Sequence, residues 1–240
     1  MTDVLIDHFT YEYPGSTVKV LNDVDVTFKH NHFSLLTGPS GSGKSTLLYF
    51  IAGLYPHFIG NDALGGIKFG DTDIKQIPSN EISHSVAMMF QNPNQQFAMD
   101  TVIHELTFVL ENMLVEPAKM DGIINHALAF CGIKQLRSRV INTLSGGEKQ
   151  RVALACIVAM DPPVIVLDEP FASIDPDSRL DLIKKLKQLQ VEHGKTIILA
   201  DHDLNDYKGV IDEFYYLDPD THHISLLDSQ SAQHFFDNFK

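Results

Sequence analysis

The chain has 240 residues, 44% hydrophobic and 20% charged, and its 18 Lys and Arg against 31 Asp and Glu give a formal net charge of −13. That length and apolar share support a packed core, as one large domain or two lobes, and exclude global disorder. The excess of acid leaves no broad basic face, which excludes a sequence-independent nucleic-acid binder and direct adhesion to an anionic membrane.

In chain order, the opening Met1-Thr2-Asp3-Val4-Leu5-Ile6-Asp7 lacks a basic stretch and has too short an apolar run for a signal peptide. Apolar β-type runs follow at 4–11, 24–28 and 33–37, with the turn pair Pro14-Gly15 after the first. Short turns between early strands predict an antiparallel layer. Directly after the third run stands Gly38-Pro39-Ser40-Gly41-Ser42-Gly43-Lys44-Ser45-Thr46, a complete Walker A loop, and a helix is predicted over 45–51. Strand, glycine-rich loop and helix in that order make a phosphate cradle. Backbone N–H groups curl around the anion where a Cβ would crowd it, and the helix end adds partial positive charge. Lys44 is expected on the β- and γ-phosphates of a nucleoside triphosphate, and Ser45 on Mg²⁺.

A strand over 85–90 ends at Gln91. From 92 to 159 the pattern turns mostly helical, with helices predicted over 120–130 and 147–160. Between them, Leu144-Ser145-Gly146-Gly147-Glu148-Lys149-Gln150 combines an N-cap serine with two glycines, a second candidate anion site at a helix start. The apolar strand 164–167 leads into Asp168 and Glu169, delivered to the C-terminal edge of a sheet. Asp168 is expected to hold Mg²⁺. Glu169, one residue on and pointing to the other side, is expected to orient and deprotonate the attacking water. A helix over 178–191 and a strand over 196–199 complete the alternation, which predicts an α/β fold with a largely parallel sheet.

The longest apolar run, from Val152 to Met160, is far short of the roughly 20 residues a membrane span needs. A cytosolic chain is expected, its membrane role exercised through a partner. Cys131 and Cys156 lie far apart in helix-like apolar segments and read as core packing in a reducing compartment, with a disulfide as the alternative. The pair His222-His223 reads as solvated surface.

The motifs in this order, over essentially the whole chain, resemble the nucleotide-binding subunits of ATP-binding-cassette (ABC) proteins. That resemblance implies a P-loop NTPase (RecA-like) α/β core with an antiparallel β-subdomain, residues 1–91 and 160–240, and an inserted helical subdomain, residues 92–159. It makes Ser145, Gly146 and Gly147 the signature motif that contacts the γ-phosphate held by a second subunit. It makes Gln91 the Q-loop glutamine near Mg²⁺ and the attacking water, and His202 in Ala200-Asp201-His202-Asp203 the switch histidine on the γ-phosphate. Ser173-Ile174-Asp175 becomes the D-loop that crosses the dimer interface. Tyr13 becomes the aromatic that stacks on adenine, with Tyr11 as its competitor. Phe171, Glu148 and Ile174 depart from the family's commoner residues without removing a catalytic group.

The interval between Gln91 and Ser145 leaves no room for a long coiled coil, and one Walker A loop argues against a tandem translation-factor type. Phe90-Gln91-Asn92-Pro93-Asn94-Gln95-Gln96-Phe97 is similar to the Q-loop region of energy-coupling factor (ECF) ATPases, as are Thr107-Phe108-Val109-Leu110-Glu111-Asn112 and the opening Phe9-Thr10-Tyr11-Glu12-Tyr13-Pro14-Gly15. The implied protein is a peripheral ATPase on the cytoplasmic face of the membrane, powering uptake of a vitamin or other micronutrient. Its implied partners are a second ABC ATPase subunit, a transmembrane coupling protein and a small substrate-binding membrane protein, with ATP and Mg²⁺ as ligands. The alternatives are a soluble ABC ATPase serving an assembly pathway such as iron–sulfur scaffold loading, a nucleotide-gated adaptor, and an importer ATPase outside the ECF group. The short stretch after His202 leaves no room for the regulatory domain such importers often add.

Overall fold

The computed structural model describes residues 3–55, 63–171, 174–204, 206–228 and 231–232. Ten strands and five α-helices alternate along them. They are β1 Val4–Glu12, β2 Lys19–Phe28, β3 Phe33–Thr37, α1 Lys44–Ile51, β4 Leu64–Phe69, β5 Thr72–Asp73, β6 Val86–Met89, α2 Val102–Asn112, α3 Pro117–Phe130, α4 Gly146–Met160, β7 Val164–Asp168, α5 Pro176–His193, β8 Thr196–Ala200, β9 Glu213–Leu217 and β10 Ile224–Leu226.

Two sheets form. β2, β1, β4 and β5 make an antiparallel sheet in that order, and β10, β9, β3, β8, β7 and β6 make the second. In the second sheet β9, β3, β8, β7 and β6 run parallel and β10 closes one edge antiparallel. The strands β3, β7 and β8 are buried at every residue, the pattern of a parallel sheet covered on both faces.

Side chains alternate across this sheet and so feed two separate cores. Leu36, Val164, Val166, Ile198 and Ala200 pack with α1 and the antiparallel sheet. Their neighbours Leu35, Ile165, Leu167, Ile197 and Leu199 pack with α2, α3, α4 and α5.

The expected strands and helices all form, each within a few residues of its predicted bounds except β2, which starts earlier, at Lys19. β4, β5, β9, β10 and α2 are additions. Gly65 and Gly66 blur the strand pattern of β4, and Thr107, Phe108 and Val109 weaken the helical signal of α2. α2 is anchored from outside: Thr101 caps it through the His104 amide, and the Val102 amide donates to the Arg139 carbonyl. Cys131 and Cys156 are buried free thiols, so the expected packing role stands, and burial pushes Cys131 up to about 12. His223 is exposed whereas His222 is half-buried, and neither joins a cluster of three or more potential metal ligands among the described residues. No helix among the described residues is long and apolar enough to cross a membrane.

Candidate nucleotide site

Because β3, β6, β7 and β8 are parallel, their C-terminal ends open on one edge. The loops leaving that edge carry Gly38–Thr46, Gln91, Glu169 and His202. The cradle forms around α1. Its N-cap Gly43 has a φ of 110°, and a Cβ there would meet the Val20 carbonyl at 2.8 Å, so the turn into the helix requires glycine. At Gly38 a Cβ would come within 2.6 Å of the Leu217 carbonyl. Among the described residues no side chain caps α1, and its first turn holds no acid. Its leading amides therefore face the cavity without an internal acceptor from a side chain.

The cavity is about 490 Å³, lined by Tyr13, Val20, Ser40, Gly41, Gly43, Lys44, Ser45, Thr46, Gln91 and Glu169. Lys44 is buried, and its Nζ donates to the Gly38 carbonyl at 2.7 Å and the Pro39 carbonyl at 3.0 Å. Burial holds this ammonium below the ordinary lysine range, while the nearby carboxylates Glu169, Asp168 and Asp201 work to raise it. Ser45 Oγ donates to Asp168 Oδ1 at 2.9 Å. Burial raises the Asp168 carboxyl, and the Ser45 hydrogen bond opposes that shift. The Ser42 hydroxyl oxygen is buried with no partner among the described residues. A lysine resting on its own loop's carbonyls, a bare helix end and an unpaired buried hydroxyl together fit a polyphosphate. The Ser45 and Asp168 oxygens fit a hard divalent cation such as Mg²⁺.

Glu169 lines this cavity, at the sheet edge where both acids were expected. It lies just past the end of β7 with a φ of 41°, and its amide donates to the Ala200 carbonyl at 2.9 Å. Alternation holds only inside the strand, and this left-handed turn sets the Glu169 carboxylate in the cavity, while the buried Asp168 reaches its wall through Ser45. There Gln91 Nε2 donates to Glu169 Oε2 at 2.8 Å, and His202 Nδ1 lies 3.3 Å from Glu169 Oε1.

Tyr13 is 39% exposed and lines the cavity, with its hydroxyl 2.7 Å from Thr46 Oγ1, whereas Tyr11 is fully packed in the core. That separates the two tyrosines the sequence left in competition.

Ser145, Gly146 and Gly147 stand at the start of α4 and are not among the residues lining the nucleotide cavity of their own chain. Ser145 and Glu148 form a capping box: the Glu148 amide donates to Ser145 Oγ at 3.3 Å, and the Ser145 amide donates to Glu148 Oε2 at 2.8 Å. That accepted hydrogen bond lowers the Glu148 carboxyl. Asp175 N-caps α5 by accepting from the Ser178 amide at 2.9 Å, and its carboxyl is lowered by that bond. Gly147 lies against Ile174 and Ser178, so the two helix starts adjoin. Ser173 lies outside the described residues.

Sequence reasoning missed Arg179, Asp201 and Tyr207. All three are buried charged or polar side chains beside His202, and they come together only in three dimensions.

A family model described as ABC transporter matches residues 21–172. The energy-coupling factor transporter ATP-binding protein EcfA1 of Levilactobacillus brevis is 35% identical over 203 residues, covering 85% of this chain and 71% of that protein. YkoD of Bacillus subtilis, named for HMP/thiamine import, is 36% identical over 219 residues, 89% of this chain and 39% of YkoD. The chain spans only 34% to 40% of the length of YkoD and four further curated relatives. Among solved structures, cbiO1 of Clostridium perfringens, described as part of the ABC transporter complex cbiONQ, superposes with a TM-score of 0.82. It is 26% identical, and the match covers 98% of this chain and 90% of that one.

Proposed function

The chain belongs to the ABC transporter family as an ATP-binding cassette, and from that premise we propose that it hydrolyses ATP to drive an importer of the energy-coupling-factor type, paired head to tail with a second cassette so that two ATP sites lie between them. The observation that carries this reading is the meeting of Gln91, Glu169 and His202 beside the phosphate cradle. The likeness to EcfA1 and to cbiO1 supports the ECF type.

Tyr13 takes the adenine face. The amides of Gly38–Thr46 hold the phosphates, and Lys44 exchanges its two carbonyl partners for β- and γ-phosphate oxygens, a charge-assisted contact. Ser45, Asp168 and Gln91 would hold Mg²⁺, which supplies charge neutralisation to the β- and γ-phosphate oxygens. Glu169 orients the attacking water and takes its proton. Gln91 fixes one carboxylate oxygen of Glu169, and His202 stands at the other, placed to meet the γ-phosphate. Ser145, Gly146 and Gly147 bind the γ-phosphate held by the partner cassette, and Asp175 reaches across the interface. The position of α4's first turn outside its own chain's cavity supports this sharing.

Residues 92–159 act as a helical subdomain against a core of 1–91 and 160–240. Lys149 Nζ, one turn into α4, donates to Asn94 Oδ1 at 2.8 Å, so the signature helix is tied to the segment after Gln91. Motion at Gln91 then reaches the membrane partner through that lobe. The partners are a transmembrane coupling protein and a small membrane protein that binds a vitamin or other micronutrient, with this chain peripheral on the cytoplasmic face.

A tagged pull-down from detergent-solubilised membranes tests the assignment. Co-purification of a second cassette with a polytopic membrane protein and a small membrane protein supports it. Recovery with a soluble partner alone overturns the transporter role in favour of an assembly ATPase, and a permease pair without the small membrane protein overturns the ECF type.

A further inference from the structure

The loop after β8 carries His202 between three carboxylates, Asp201, Asp203 and Asp206. Such a loop repels itself unless something holds it. One side chain does so from outside. Arg179, at the end of the first turn of α5, is buried to 7% exposure. Its Nη1 donates to Asp203 Oδ2 at 2.9 Å and its Nη2 to the Asp203 carbonyl at 2.7 Å. Its Nε lies 2.9 Å from Asp206 Oδ2, and Asp201 Oδ2 is 3.6 Å from Nη2. Both Nη atoms therefore hydrogen-bond Asp203, while Nε, which makes no directed hydrogen bond among the described residues, faces the Asp206 carboxylate as an ion pair, so the guanidinium holds carboxylates on both sides of His202. The guanidinium also lies over two rings, 5.7 Å from the centre of Phe171 and 5.3 Å from that of Tyr207. Tyr207 Oη donates to Asp201 Oδ2 at 2.7 Å, and the Asp203 amide donates to Asp201 Oδ1 at 2.9 Å, closing the network beneath the histidine. Phe171 follows Glu169 by two residues, so the same guanidinium stands between the Glu169 turn and the His202 loop. α5 itself begins at the cap Asp175.

We propose that Arg179 is a positioning residue for hydrolysis. It holds Asp201, Asp203 and Asp206 so that His202 stays 3.3 Å from Glu169 at the γ-phosphate position, and it ties that geometry to the helix that starts at the interface. This inference rests on the role given to His202 above. The rigid planar fork matters as much as the charge: a lysine ammonium is a single point and cannot hold the Asp203 carboxylate and carbonyl in two fixed directions while lying over two rings.

The test is a double-mutant cycle on the full chain in its assembled complex. Arg179→Met is expected to lower kcat by on the order of 10- to 100-fold, the cost of an ångström-scale misplacement. ATP affinity, read by equilibrium binding, should change by less than about threefold, since the cradle around Lys44 is untouched. In a His202→Ala background the Arg179→Met change should cost nothing further, because there is no histidine left to position. Arg179→Lys should fall between wild type and Arg179→Met. If the methionine variant does not fold, the lysine variant carries the same cycle. Losses that add in full to those of His202→Ala, or a fall in ATP affinity matching the fall in kcat, overturn the positioning role. A His202→Ala variant with undiminished turnover overturns the reading of the site itself and this inference with it.

Discussion

Two helix starts in this molecule were expected to receive phosphate, and they are built in opposite ways. α1 begins at a glycine, with no side-chain cap and no acid in its first turn. α4 begins at a serine whose hydroxyl and amide are both engaged by Glu148. The bare end lies in the cavity of its own chain and the closed end does not. A helix start that must hold a nucleotide throughout its cycle is left permanently open. At α4 the Ser145 and Glu148 amides are satisfied within the chain, in keeping with the proposal that this start meets phosphate only when a second subunit arrives. The serine cap is also the more stabilising of the two, by roughly a few tenths of a kcal/mol over the glycine that caps α1.

Breaking the chemistry between the two ends gives the largest effect. Glu169→Gln keeps the partner of Gln91 but removes the proton acceptor. Turnover is expected to fall by on the order of 100-fold or more, with ATP binding intact in a filter or fluorescence assay. Unchanged turnover would show that neither end feeds this carboxylate. Lys44→Ala attacks the bare end alone. Loss of a charge-assisted contact worth about 1.5–3 kcal/mol raises the Kd for ATP by roughly 10- to 100-fold. Wild-type affinity would remove Lys44 from the cradle.

Asp168→Asn sharpens the contrast in stability. Burial raises the Asp168 carboxyl, so the folded state holds its proton more tightly than the unfolded chain does. The stabilisation from that proton is complete below the unfolded value near 3.8 and is lost as pH rises through the higher folded value. At neutral pH the aspartate is thus a destabilising group kept at the bare end. Asparagine can still accept from Ser45 Oγ. The variant is expected to unfold at a higher temperature than wild type at pH 7, with the difference shrinking toward pH 4, while its turnover falls at least tenfold for want of the cation. A lower midpoint at pH 7 would show that the charge earns its place by structure alone.

The bare end was legible in the sequence because everything it needs is local. Nine consecutive residues set the glycine turn, the lysine and the hydroxyl, and the flanking apolar runs supply the strand and helix. The closed end was half legible: Ser145 announced a cap, but the reciprocal hold of Glu148 needed the helix to be built. Glu169 was legible as a site residue, but its contacts with Gln91 and His202 depend on a turn with positive φ just past β7 that no strand pattern announces. Arg179 was not legible at all. It meets Asp203 across 24 residues, and nothing in the helix pattern of α5 distinguishes it from a surface arginine.

The smallest effect probes the closed end most directly. Glu148→Gln preserves the capping box, since an amide oxygen also accepts from the Ser145 amide, but deletes a negative charge at the place where a γ-phosphate is proposed to dock. Two consequences oppose each other. The carboxylate favours the helix start: its folded value is lowered by the Ser145 amide, so its stabilisation is present above the unfolded value near 4.5 and fades as pH falls through the lower folded one. The same charge repels an incoming phosphate. The variant should therefore be slightly less stable at pH 7 and no different in strong acid, yet reach half-maximal turnover at an ATP concentration lower by about two- to fivefold at low salt, the range set by a 0.3–1 kcal/mol helix-end charge. Near 1 M salt the kinetic gain should vanish, because the screening length has fallen to about 3 Å. An unchanged or raised ATP requirement at low salt would mean that the capped start of α4 never meets the nucleotide, and the two helix ends would then differ in purpose as well as in construction.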